Sequence, residues 1–119
     1  MASDIAGKLV VVLERAATAQ EVLSALRYAS TTAAMDMAVE VHAVGAAVAL
    51  LRRGAEADNS TWHAALAQSL ELGVAWFACP QALAAHDMTE GDLADGVTVR
   101  GAASLLAAGM APGGRFMVF

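Results

Sequence analysis

Apolar and polar positions fall into blocks whose period switches along the chain. Residues 8–13, KLVVVL, are continuously apolar and β-branched after the lysine, which is the pattern of a strand buried on both faces. TAQE at residues 18–21 then reads as a capping box, with Thr18 as N-cap and Glu21 reaching back to it. Val22, Leu26, Ala29 and Ala33 recur at helical spacing, so a helix is predicted over residues 18–34. A second strand is predicted over residues 37–44, ended by Gly45. After it a short helix runs from Ala46 and closes on Arg52, Arg53 and Gly54, a basic turn followed by glycine.

Residues 54–60, GAEADNS, form the one clearly loop-like segment. Ser60 is predicted to cap a helix that carries Trp62, Leu66 and Leu70 on one face and stops at Gly73. Residues 74–78, VAWFA, make a third strand that leads directly into Cys79, Pro80 and a short helix ending near His86. Residues 88–96 are acidic and turn-rich. Residues 97–99 are a fourth strand, 101–108 a helix ended by Gly109, and 115–119 a last strand delivered by Pro112, Gly113 and Gly114.

Strand and helix alternate from end to end, which predicts an α/β/α layered sandwich around a mainly parallel five-stranded sheet, with residues 1–119 as a single domain. Right-handed crossovers gather the C-terminal ends of parallel strands on one edge. Leu13 and Glu14, Gly45, Cys79 and Gly101 are expected there together.

Composition narrows the partners. The net charge of −5, with only seven basic residues and Arg52-Arg53 as the sole adjacent pair, argues against nucleic acid and against an acidic membrane surface. The longest apolar run, residues 43–51, is far too short to cross a bilayer. An acid at Asp4 stands where a secretory signal carries a basic flank, and a single cysteine cannot form an internal disulfide; both predict a cytoplasmic chain. A hydrophobic fraction of 58% in so short a chain, much of it alanine, predicts surplus apolar surface and therefore a homo-oligomer or a subunit of a hetero-oligomer.

Cys79 is the main candidate for chemistry. Proline is tolerated at the first helical position, which makes Pro80 that position and Cys79 the N-cap. Unpaired helix N–H groups and the positive end of the dipole favour thiolate over thiol, and the thiolate is the attacking form in persulfide exchange. The alternative for such a residue is a buried, inert cysteine. His42, His63 and His86 match no zinc spacing, and no metal or organic cofactor is predicted. His42 reads as a hydrogen-bonded structural histidine within a strand. His63 lies in the first turn of its helix, near the active edge or facing solvent, and His86 ends the helix after Cys79. Glu14 and Arg15 follow the first strand on the expected edge, as a solvated pair or as groups that polarise a ligand. Neither a phosphate-binding glycine motif nor a GxSxG elbow is present.

The order of elements, the run VAWFACPQALAAH at residues 74–86, the acidic stretch after it and GVTVRGAASL at residues 96–105 together resemble the DsrE/DsrF-like sulfur-relay proteins over essentially the whole chain. The resemblance implies a three-layer α/β/α fold with a five-stranded sheet, assembly as trimers or hexamers, and passage of sulfane sulfur between protein thiols. Cys79 is the position it marks as persulfide-bearing. With one cysteine, the chain cannot resolve a persulfide into an internal disulfide. Two other expectations stand beside the carrier: a structural or regulatory subunit whose cysteine only packs, and a small-ligand binder with Trp62 as a lid.

Overall fold

A computed structural model of the chain describes residues 7–54 and 60–119. Five strands, β1 (Lys8–Leu13), β2 (Ala38–Ala43), β3 (Ala75–Ala78), β4 (Val97–Val99) and β5 (Gly114–Val118), form one sheet in the order β4-β3-β2-β1-β5. Every pairing is parallel. Among the described residues four α-helices connect them: α1 (Ala19–Ala34), α2 (Ser60–Glu71), α3 (Pro80–Ala85) and α4 (Ala102–Met110).

The alternation of side chains along a strand assigns each helix to a layer. Leu9, Val11 and Leu13 of β1 join one apolar cluster with Val22, Ala25, Leu26 and Ala29 of α1, Trp62 and Leu66 of α2, and Leu83 of α3. Val10 and Val12, on the opposite face, cluster with Leu105 of α4. Helices therefore cover both faces of the sheet, and the fold is a three-layer α/β/α sandwich. Val10, Val11 and Leu13 are fully buried, which explains the unbroken apolar run of β1.

The capping box of α1 forms as expected. The Thr18 hydroxyl accepts from the Glu21 N–H at 3.2 Å, and a Glu21 carboxylate oxygen accepts from the Thr18 N–H at 3.0 Å. Gly73 ends α2's segment at φ +95°. Three details differ from the sequence reading. The short helix from Ala46 is of the 3₁₀ type and ends at Leu51, before the basic pair that was expected to close it. Helix α2 already includes Ser60, so that residue opens the helix instead of preceding it, and residues 55–59 of the expected loop lie outside the described ones. Gly109 does not end the fourth helix, which runs on to Met110. A glycine is required there because the Phe116 ring of β5 fills the space a side chain would take.

Candidate functional site

The C-terminal ends of the strands converge as the crossover rule requires. The Val44 N–H donates to the Leu13 carbonyl at 3.2 Å, the Cys79 N–H to the Ala43 carbonyl at 3.0 Å, and the Arg100 N–H to the Ala78 carbonyl at 3.1 Å. Gly45 passes so close to the first strand's exit that a Cβ there would stand 2.6 Å from the Glu14 carbonyl oxygen. Gly101, just after β4, is the N-cap of α4. The four expected segments do share one edge.

Cys79 is the N-cap of α3, in extended backbone geometry at φ −76° and ψ 131°, and Pro80 takes the first helical position. Its carbonyl accepts from the Leu83 N–H at 3.0 Å, closing the first turn. The thiol makes no capping hydrogen bond. It is only 9% exposed and belongs to the apolar cluster between the sheet and the α1–α2 layer, together with Ala82, Leu83 and Met88. The backbone thus presents Cys79 at the edge, while its side chain is turned into the protein.

The other sequence candidates are spread out. Glu14 and Arg15 are exposed at the same edge, and both backbone N–H groups donate to the Phe119 carbonyl, at 2.8 and 2.9 Å. Arg15 also lines a cleft of about 460 Å³ with Thr18, Glu21, Ser24 and Phe119, to which Cys79 does not contribute. His63 lines a different cleft, of about 250 Å³, beside Leu66, Leu70 and the 2.8 Å ion pair of Arg53 with Asp95. His86 ends α3, as expected. Trp62 is no lid: it is 1% exposed, donates its indole N–H to the Leu50 carbonyl at 2.9 Å and meets Trp76 edge-on.

His42 is 1% exposed, and its Nε2 lies 2.9 Å from a Glu40 carboxylate oxygen. Lys8 Nζ reaches the other oxygen of the same carboxylate, also at 2.9 Å. The His42 ring rests against Phe77 of the neighbouring strand, and the Arg100 guanidinium lies over the Phe77 ring, 4.7 Å from its centre. Burial holds the imidazole below its ordinary pKa against the pull of Glu40, with the charges of Arg100 and Lys8 adding to the depression. A neutral ring that donates from Nε2 carries a bare Nδ1, and this nitrogen is buried without a partner among the described residues. His42 is buried and hydrogen-bonded within its strand, as read from sequence. Glu40 was missed, although its i, i+2 spacing from His42 puts both on one face of β2.

By strand parity His42 shares the face of Val10 and Val12, whereas Cys79 packs with the cluster on the other. The two do not form a nucleophile–base pair. Among the described residues no three His, Cys, Asp or Glu side chains are grouped to hold a metal ion. Nor, among them, is any helix long and apolar enough to cross a membrane.

An all-parallel five-stranded α/β/α sandwich with a cysteine at the exit of β3 defines the class, and comparison with known proteins gives it a family. The chain belongs to the DsrE/DsrF-like family, whose model matches residues 7–119. Among solved structures it is similar to the YchN protein from E. coli, with a TM-score of 0.80 at 16% identity over 95% of this chain and 99% of that one. It is also similar to MTH1491 from Methanobacterium thermoautotrophicum, a protein of unknown function, with a TM-score of 0.72 at 21% identity over 95% and 99% of the two chains. BT1422 from Bacteroides thetaiotaomicron, likewise of unknown function, gives 0.70 at 18% identity over 100% and 98%. At these identities the likeness is one of fold. Among curated proteins none matches the chain.

Proposed function

We propose that the chain is a sulfur carrier of the sulfur-relay type, holding sulfane sulfur as a persulfide on Cys79. The observation that carries this reading is the position of Cys79, the N-cap of the helix that follows β3, on the edge where the strand exits converge, in a chain of the DsrE/DsrF-like family. The Cys79 thiolate attacks the outer sulfur of a donor protein's persulfide, the donor S–S bond breaks, and the donor leaves as a thiol. An acceptor thiolate then attacks the outer sulfur on Cys79 and restores the free thiol. Each step exchanges one S–S bond for another, so no external oxidant or reductant is consumed. The partners are protein thiols.

Burial of the thiol favours a second reading. At 9% exposure, Cys79 in a non-catalytic subunit of an oligomer would contribute packing alone. Intact-mass measurement of the reduced chain after exposure to polysulfide or a persulfidated donor separates the two, with Cys79→Ser as control. The carrier gains whole sulfur atoms that reductant removes and that the variant never acquires. A native chain that gains none, and whose thiol is also slow toward alkylating reagents at neutral pH, is the structural subunit.

A further inference from the structure

Residues 80–91, which follow Cys79, run between two fixed points. At one end the Cys79 N–H is bonded to the Ala43 carbonyl at 3.0 Å, at the exit of the sheet. At the other, the Arg53 N–H donates to the Asp92 carbonyl at 2.6 Å and the Ala94 N–H to the Leu51 carbonyl at 2.8 Å. Between them, among the described residues, a single hydrogen bond reaches the rest of the protein: Arg52 Nη2 donates to the His86 carbonyl at 3.4 Å. The others stay within residues 79–93. Helix α3 is six residues long, too short to persist without tertiary support. That support is the burial of Ala82, Leu83 and Met88, which are 6%, 4% and 5% exposed in the cluster that also takes the thiol.

The turn that brings Met88 back into the core carries backbone strain. Asp87 and Met88 close α3 in a Schellman motif: the Asp87 N–H donates to the Ala84 carbonyl at 3.3 Å, and the Met88 N–H to the Leu83 carbonyl at 2.8 Å. The motif needs one left-handed residue, and glycine is its usual occupant. Here it is Asp87, at φ +54°. A side chain is costly in that region, so this closed turn is weaker than the same turn built on glycine. The apolar anchor and the strained kink are adjacent residues.

We propose that residues 80–91 are a gate over Cys79, which swings out as one unit about Cys79 and Asp92 while the sheet stays folded. A reagent or a partner meets the thiol in the open form. Exchange with a persulfide needs direct access of one sulfur to the other, and a thiol that is 9% exposed does not offer it. Units held by few bonds to the rest of a protein open locally, at free energies below that of global unfolding. What the gate serves rests on the carrier reading. The gate itself does not, because any thiol reagent reads it.

Alkylation of the reduced full chain by iodoacetamide, followed by intact mass, tests the proposal. Where opening is fast relative to alkylation, the rate is the open fraction times the rate of a free thiol. The native chain should react at least about tenfold more slowly than the urea-unfolded one. Asp87→Gly removes the left-handed penalty of the closed form and should slow the reaction about two- to fivefold further. Met88→Ala removes the anchor and should speed it at least about tenfold. Ser69→Ala lies outside the gate and weakens the fold as a whole, so it should leave the rate unchanged. All three variants should keep native circular dichroism. Equal acceleration by Ser69→Ala and Met88→Ala would mean that the thiol is reached by global unfolding, and would overturn the gate. So would a rate that Asp87→Gly does not lower, a rate that Met88→Ala does not raise, or native alkylation as fast as in the unfolded chain. Sulfur loading from polysulfide on the same four chains separates the two claims. Alkylation that follows this pattern, with no sulfur gained by any chain, upholds the gate and removes the carrier.

Discussion

Phe116 of β5 lays its ring where a side chain at Gly109 of α4 would stand, so strand and helix approach one another through the absence of a single Cβ. Gly109→Ala gains about 1 kcal/mol of helix propensity. It also forces the ring off its place, an overpacking cost of about 1–3 kcal/mol or more. A net loss of stability is expected in denaturant unfolding. Phe116→Leu in the same chain should recover part of it, because the clash is with the ring. An additive pair of losses would show that the two residues do not share the space.

The glycines at the strand exits differ in the same physical way. A methyl group at Gly45 would meet the Glu14 carbonyl oxygen at 2.6 Å, and backbone cannot step aside as a flexible side chain does. Gly101 has nothing within 4 Å of the corresponding point and an ordinary negative φ. Gly45→Ala is therefore expected to cost about 1–3 kcal/mol, and Gly101→Ala to leave the unfolding midpoint nearly unchanged. Equal losses at both positions would contradict this account of the edge.

Much of the architecture was legible because burial leaves its mark on residue choice. A strand covered on both faces needs an unbroken apolar run, and Lys8–Leu13 supplies it. Thr18 and Glu21 announced the start of α1 because a capping box is a local device. Gly109 misled, since a glycine required by a neighbour's ring reads like one that ends a helix. The position of Cys79 was legible from Pro80, a local constraint. The burial of its thiol was not, since Ala82, Leu83 and Met88 are brought around it by the fold as a whole. Trp62 is similar: its match with Leu66 and Leu70 indicated core, but the Leu50 carbonyl that receives its N–H lies 12 residues earlier in the chain, in a different element.

Ser69 is a fully buried hydroxyl that links two elements. It donates to the Leu66 carbonyl at 2.7 Å and accepts from the Trp76 indole N–H at 2.9 Å. Ser69→Ala removes the acceptor and leaves the indole N–H buried without a partner, which costs about 1–3 kcal/mol. Chemical unfolding should show that loss, accompanied by a changed emission maximum from Trp76. Ser69→Thr retains the oxygen and should recover the emission even where its extra methyl lowers stability.

Glu40 joins His42 to Lys8 across the face of the sheet, and the pair makes stability depend on pH in a defined direction. The folded imidazole sits below the ordinary value of 6.5, chiefly through burial, so the unfolded chain takes up its proton first. The stability this group confers is complete above pH 6.5 and is lost as pH falls below it. Burial also acts to raise the Glu40 carboxyl, but the hydrogen bonds from His42 and Lys8 and the lysine charge outweigh it and hold the carboxyl below 4.5. Its contribution is present above 4.5 and is lost on further acidification. Stability should therefore begin to fall near pH 6.5, by at most about 1.4 kcal/mol per pH unit from one proton, and fall more steeply below 4.5. His42→Gln keeps a donor for Glu40 but cannot titrate. It should flatten the profile between pH 6.5 and 4.5 and leave the lower limb in place. A native chain with constant stability across that interval would show that the buried imidazole is not held neutral.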